Sequence, residues 1–256
     1  MTAVPSYDAA QLGELLGVLR GVDSVELKLT VPHADQRRVL RSLGFDPLDG
    51  QIRQVAFVDT LDLRLSGGGL VVRARRTQGR PGDLTVKLRP MLPDDVPAEL
   101  RALAGFKVEV DASPQGFTCS CSLTTVLADR EVRRLLADDS LVGDLLDGDQ
   151  RALLAARLPQ GLSLADLRVL GPLTLLKAKV RPDGFGRKLV AELWFLPDGS
   201  RLLELSTKCT PAEAFQVAAE AKVLLAGHGL DLDAPQETKT RTALAALAAA
   251  LEKEQG

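Results

Sequence analysis

From Glu26 to Arg89 the chain places charged residues on every second position, stretch after stretch. The first run is Val25-Glu26-Leu27-Lys28-Leu29-Thr30-Val31, and later runs end in Arg73-Ala74-Arg75 and Lys87-Leu88-Arg89. Residues two apart in an extended chain share a face, so this spacing predicts strands with one apolar and one charged side. The pattern returns in Lys177-Ala178-Lys179-Val180-Arg181 and in Glu204-Leu205-Ser206-Thr207-Lys208. One such strand is an ordinary half-solvated sheet. Five or more, several with paired cations, predict faces that meet around something anionic.

The overall balance makes this basic character local. The 256 residues carry a net charge of -2 and a pI near 5.8, which argues against a general nucleic-acid binder. Apolar residues make up 45% of the chain but aromatics only 4%, so the core must be built from Leu, Val and Ala. Cys119, Cys121 and Cys209 form neither a disulfide framework nor a zinc signature, which predicts a reducing, cytoplasmic setting. The N-terminal residues lack the features of a signal peptide, and no apolar stretch is long enough to predict a membrane span. Residues 1–22 read as a lead-in, with a short helix from Asp8 to Arg20 capped by Asp8. Residues 23–256 read as a single domain.

Eight strands are predicted, at about 24–31, 51–60, 70–75, 84–89, 106–111, 173–182, 187–196 and 200–208. A short helix follows Pro32, and another helical turn spans Asp62 to Leu65. Residues 91–104 read as a Pro-rich loop with a short helix, and 124–157 as helical with acidic interruptions. Thr210-Pro211-Ala212-Glu213 carries a helix-start signal, and Glu237 to Arg241 lead into an Ala-rich terminal helix. The lone histidines His33 and His228 read as surface residues, and Gly67-Gly68-Gly69 as a turn, since no phosphate-loop motif accompanies it.

If the strands close into a barrel, its lumen is lined by cations that cannot be buried unpaired, because each would lose several kcal/mol of hydration. A triphosphate held by Arg forks and Lys ammoniums meets that need. The interspersed acids would hold divalent cations that shield it. An antiparallel sheet with its charged face in water accounts for the same alternation, and pattern alone leaves both readings open.

The sequence resembles the CYTH family, which includes class IV adenylate cyclases, thiamine triphosphatases and inorganic triphosphatases. The family's opening Glu-x-Glu-x-Lys is similar to Ser24-Val25-Glu26-Leu27-Lys28, and its Asp-Thr element to Val58-Asp59-Thr60-Leu61. Its Arg-x-Arg is matched by Arg73 and Arg75, its Thr-x-Lys by Thr85 and Lys87, and its late Ser-Lys-x-x-Arg is similar to Thr238-Lys239-Thr240-Arg241, where the Arg comes one residue earlier. The match runs from about 24 to 244. It implies an α+β fold built on an eight-stranded antiparallel β-barrel, a triphosphate tunnel, with surrounding helices. It implies phosphate binding by Lys28, Arg73, Arg75, Lys87, Lys177, Lys179 and Lys239, to which the strand pattern adds Arg89 and Arg181, and the segment before the terminal helix adds Arg241. It implies magnesium or manganese on Glu26, Glu192 and Glu204, with catalytic roles for Glu26, Lys28 and Lys87.

Two acids of the family pattern are serine here, Ser24 and Ser206. A hydroxyl is a weaker metal ligand than a carboxylate. The cationic half of the expected site is thus fuller than the acidic half. One reading is a metal-dependent triphosphatase acting on a triphosphate-containing small molecule or on inorganic polyphosphate. The alternative is a catalytically weak or inactive module that binds the same anions. Adenylate cyclase activity ranks last, because no stretch marks a base pocket. Neither nucleic acid nor membrane is expected as a partner, and a homodimer is left open.

Overall fold

The computed structural model describes residues 9–234, 236 and 238–255. Asp8, expected as a helix cap, and Glu237 lie outside the described residues. The strands are β1 (Ser24–Val31), β2 (Gln51–Asp59), β3 (Leu70–Thr77), β4 (Arg80–Leu88), β5 (Phe106–Ser113), β6 (Gly116–Leu127), β7 (Arg168–Val180), β8 (Leu189–Phe195) and β9 (Arg201–Cys209). The α-helices are α1 (Ala9–Arg20), α2 (Gln36–Ser42), α3 (Arg64–Gly67), α4 (Ala98–Arg101), α5 (Asp129–Ala137), α6 (Val142–Leu145), α7 (Gly148–Ala155), α8 (Ala214–Gly227) and α9 (Lys239–Gln255).

The strands close into one barrel in the order β1-β5-β6-β4-β3-β2-β7-β8-β9, with β9 paired back to β1. Closure leaves no unpaired edge. All neighbours are antiparallel except β1 and β5, which run parallel with Glu26 beside Asp111. The expected eight-stranded antiparallel barrel is therefore present with nine strands and one parallel pair.

The added strand is β6. Its outward Cys119, Cys121 and Leu123 alternate with lumenal Ser120, Ser122 and Thr124. Cys against Ser gives little hydropathy contrast, which hid the strand. The helix expected from 124 begins at Asp129 instead, because Thr124, Thr125 and Val126 continue the strand with residues suited to a pleated surface.

The main core lies outside the barrel wall. Val72, Ala74, Leu84, Val86, Val108, Val110 and Leu123 pack against Leu15, Val18 and Leu19 of α1, Val132 and Leu135 of α5, and Leu153 and Leu154 of α7. A second outer cluster joins Leu29 and Val31 with Leu189, Ala191, Leu203 and Leu205 under Val39 of α2 and Leu225 of α8. The three cysteines are free and buried in this packing. Burial of small aliphatic faces drives both clusters, as the low aromatic content requires.

One part of the lumenal face is apolar as well. Val55, Phe57, Leu173, Leu175, Trp194 and Leu202 form a floor onto which Ala243, Leu244 and Leu247 of α9 pack. The terminal helix thereby covers the inner face of β2, β7, β8 and β9 and brings Lys239 into the lumen.

Asp59 of the Asp-Thr element is structural. Its Oδ1 accepts from the backbone N–H groups of Thr60 and Leu65 at 2.8 Å, and its Oδ2 from Ser66 at 2.9 Å. These bonds satisfy otherwise orphaned amides at the start of α3.

Candidate active site in the barrel lumen

Three ion clusters line the lumen. The first centres on Asp111, which is 7% exposed. Its carboxylate meets Lys28 Nζ at 2.8 Å, Arg89 Nη1 at 3.2 Å and Lys87 Nζ at 3.4 Å. Lys28 also meets Glu26 at 3.2 Å. Strand pairing makes this convergence possible: parallel β1 sets Asp111 beside Glu26, and β4 delivers Lys87 and Arg89 from across β6. Burial pushes the Asp111 carboxyl up, but the ammoniums of Lys28 and Lys87 outweigh it and hold the group well below the ordinary range. Burial works against the Lys28 ammonium too, yet Asp111 and Glu26 keep it more firmly protonated than usual. Lys87 goes the other way, because burial and its cationic neighbours exceed the help from Asp111.

The second cluster follows one cross-strand row. Lys177 on β7 lies opposite Glu192 on β8, which lies opposite Glu204 on β9. Lys177 meets Glu192 at 2.8 Å. Lys239, from the start of α9, meets Glu204 at 2.6 Å and also pairs with Glu192. Its ammonium lies 5.4 Å from the centre of the Trp194 ring, within cation–π range. Burial raises the Glu192 carboxyl, but Lys239 and Lys177 bring it far below its ordinary value.

The third cluster is arginine-rich. Arg75 binds Asp83 Oδ2 through both Nε and Nη2 at 2.7 Å, a two-pronged contact. Arg73 reaches the same carboxylate only at 3.7 Å. Beside these, Ser24 Oγ donates to Glu109 at 3.0 Å, and Lys208 pairs with the same carboxylate.

The structure thus brings Lys28, Arg73, Arg75, Lys87, Arg89, Lys177 and Lys239 onto the inner wall, together with Glu26, Glu192 and Glu204. Lys179 shares the lumenal face with Lys177 but is exposed. Arg181, just past β7, and Arg241 on α9 are exposed too, and none of these three joins the ion-pair network. The alternation of Lys107, Glu109 and Asp111 put Glu109 and Asp111 among the lumenal acids expected to hold divalent cations; Asp111 is instead paired with Lys28, Lys87 and Arg89, and Asp83 was not among the expected site residues. Arg53 was missed altogether.

Eight cations (Lys28, Arg53, Arg73, Arg75, Lys87, Arg89, Lys177 and Lys239) here face five carboxylates (Glu26, Asp83, Asp111, Glu192 and Glu204). The wall keeps a positive surplus inside a chain of net charge -2. This charge balance is the kind that suits a polyanion. For a metal the arrangement is less suited. Among the described residues no group of three or more His, Cys, Asp or Glu side chains is placed to hold an ion. Glu26 is bound to Lys28, and Glu192 and Glu204 are bound to Lys177 and Lys239.

A closed, helix-coated barrel with an ion-lined lumen defines the fold class. No family model and no curated protein matches the sequence. Among solved structures, the chain is similar to a protein of Bacillus halodurans provisionally described as an adenylate cyclase. The TM-score is 0.60 and identity 16%, covering 86% of this chain and 97% of that one. It is similar too to an adenylyl cyclase candidate of Hippeastrum with a dominant triphosphatase activity. There the TM-score is 0.59 and identity 17%, covering 83% of this chain and 91% of that one. The chain shares their fold. No helix among its described residues is long and apolar enough to cross a membrane.

Proposed function

We propose that this protein binds a triphosphate, free or as the end of a larger phosphate compound, inside the barrel. The convergence of Lys28, Lys87 and Arg89 on the single buried carboxylate of Asp111 carries this reading. Two strands there, β1 and β4, present three cations to one point on β5, and a phosphoryl group offers more acceptor oxygens and more charge than a carboxylate does. The triphosphatase activity of the Hippeastrum neighbour supports the same class of ligand. Cyclase chemistry also needs a platform for a base, and the lumenal aromatics Phe57 and Trp194 are packed under α9, at 1% and 4% exposure.

Turnover is the finer half of the proposal. Magnesium or manganese on Glu26, Glu192 and Glu204 would supply charge neutralisation and an activated water. Those carboxylates are engaged by lysines, so the residues as arranged support anion binding more directly than hydrolysis. Ser24 and Ser206 favour the same order, and a slow or inactive binder is the second reading.

The test is calorimetric titration with inorganic tripolyphosphate, with and without magnesium, alongside phosphate release in magnesium and then manganese. Salt-sensitive binding that is lost in Lys87→Ala is expected. Absence of binding in wild type at low salt overturns the reading. Phosphate release that vanishes in Lys87→Ala establishes a triphosphatase, and binding without release establishes the binder.

A further inference from the structure

We infer that Trp194 is a positioning residue for Lys239: its ring face holds the ammonium at the lumenal wall while the hydrogen bonds of that ammonium pass from carboxylate to ligand. The inference rests on the triphosphate-binding reading and adds to it a residue that does not itself take phosphate.

Strand register and helix period bring the pair together. Trp194 sits on the lumenal face of β8, between Leu175 of β7 and Leu202 of β9, and is 4% exposed. Ala243 and Leu247 of α9 pack on the same floor. Lys239 precedes them by about one and two turns, so all three share one face of the helix. The face that seats α9 thus carries a lysine at its start. Beneath its ammonium lies the Trp194 ring, 5.4 Å away.

An indole is a poor choice for a floor alone. Among the described residues, only two buried side-chain nitrogens or oxygens lack a hydrogen-bond partner, and one is Trp194 Nε1. Buried tryptophans usually satisfy this donor, and leaving it orphaned is costly. Phe57, in the same floor, is 1% exposed and carries no such donor. A phenyl ring at 194 would therefore cover α9 without the orphan. What the indole adds is the best aromatic face for a cation. The ring is oriented to serve Lys239, and its own N–H is left unserved.

The ammonium has three donors. Among the described residues, Glu192 and Glu204 accept from it. An entering polyanion competes with those carboxylates for the same charge. The ring carries no net charge to repel the anion, so it is the part of the seat that stays with the ammonium when the hydrogen bonds change partner. Trp194 thereby fixes where Lys239 presents its charge.

The chain has a single tryptophan, so intrinsic emission reports this ring alone. Wild type and Lys239→Met are compared first without ligand, and their spectra are expected to differ because the variant has no charge over the ring. Inorganic tripolyphosphate should then change the wild-type emission with the midpoint found by calorimetry. Lys239→Met should lose this change at saturating ligand. Unchanged wild-type emission where calorimetry shows binding, or an equal change in Lys239→Met, overturns the inference.

A double-mutant cycle separates positioning from support of the fold. Trp194→Leu is expected to weaken tripolyphosphate by about 3- to 30-fold, the scale of a desolvated cation–π contact, and Trp194→Phe by less. In the Lys239→Met background neither change should weaken binding by more than about twofold. Equal loss in both backgrounds, or loss in neither, would show that the ring serves the fold alone and would overturn the proposal. Trp194→Phe decides the cycle if Trp194→Leu does not fold. Absence of tripolyphosphate binding in wild type removes the functional reading, and the positioning role falls with it whatever the ligand-free spectra show.

Discussion

The hydroxyl of Ser24 donates to Glu109 at 3.0 Å across the parallel pair β1 and β5, whose register sets the two residues side by side. Where the family resemblance anticipates a carboxylate on β1, the acid stands on the neighbouring strand and is neutralised by Lys208. The serine has become a donor to that acid rather than a substitute for it.

Ser24→Glu should set two carboxylates side by side. Stability is expected to drop by about 0.5–1 kcal/mol, read by thermal melting, because like charges on paired strands repel. If the pair can bind a divalent ion, magnesium will restore the loss. Adding Ser206→Glu, opposite Lys28, should raise metal-dependent phosphate release. An unchanged rate in the double variant would sink the argument that missing acids limit turnover.

Asp111→Asn keeps the shape of the side chain and removes the shared counter-charge of three cations. Urea unfolding is expected to show a loss of about 3 kcal/mol, the usual scale for breaking a buried ion pair by neutralising one partner. Tripolyphosphate should then rescue the variant more than it stabilises wild type. Equal stabilisation of both proteins would mean that the ligand does not take over the cations held by Asp111.

Acid should unfold the protein through the same groups. The Asp111 and Glu192 carboxyls ionise more readily folded than unfolded, against ordinary values of 3.8 and 4.5. Their stabilisation is therefore complete above those ordinary values and is lost as the pH falls below them. The melting temperature should stay level from about pH 8 to about pH 5 and then fall, with a shallower fall in Asp111→Asn. Parallel acid limbs in the two proteins would contradict this assignment.

Leu247→Ala tests the apolar floor. Leu247 is 4% exposed and packs with Phe57, Trp194 and Leu202. Truncation should cost about 2–5 kcal/mol through the cavity it leaves. It should also weaken tripolyphosphate binding, although Leu247 is not one of the lumenal cations, because α9 is what holds Lys239 against Glu192 and Glu204. Unaltered affinity at reduced stability would detach Lys239 from the seating of its helix.

Much of this was legible before any fold was known. Wherever a strand alternated full charge with Leu or Val, as around Lys28, Arg73 and Lys87, both the strand and its lumenal face could be read directly. Arg53 escaped because its lumenal neighbours Val55 and Phe57 are apolar, and because a bulge between those residues disturbs the pairing with β7. No local signal marks such a strand as charged inside. β6 escaped because Cys and Ser differ too little in polarity. The role of Asp111 depends on a parallel pairing between strands about 80 residues apart, a long-range relation that periodicity does not encode. What separates Lys177 from Arg181 is only where β7 ends, and strand ends are the least legible feature of any sequence.

The wall of this barrel is turned inside out relative to a globule with an oily centre: greasy flanks under a helical jacket, salt within. Away from the apolar floor under α9, the residues that pack the jacket and the charged residues of the lumen therefore sit on opposite sides of the same strands, one position apart. Drift can erase carboxylates such as those expected at positions 24 and 206 without touching the jacket. The same separation makes the molecule a chassis whose lumenal charge can be rewritten from the inside while its architecture is left intact.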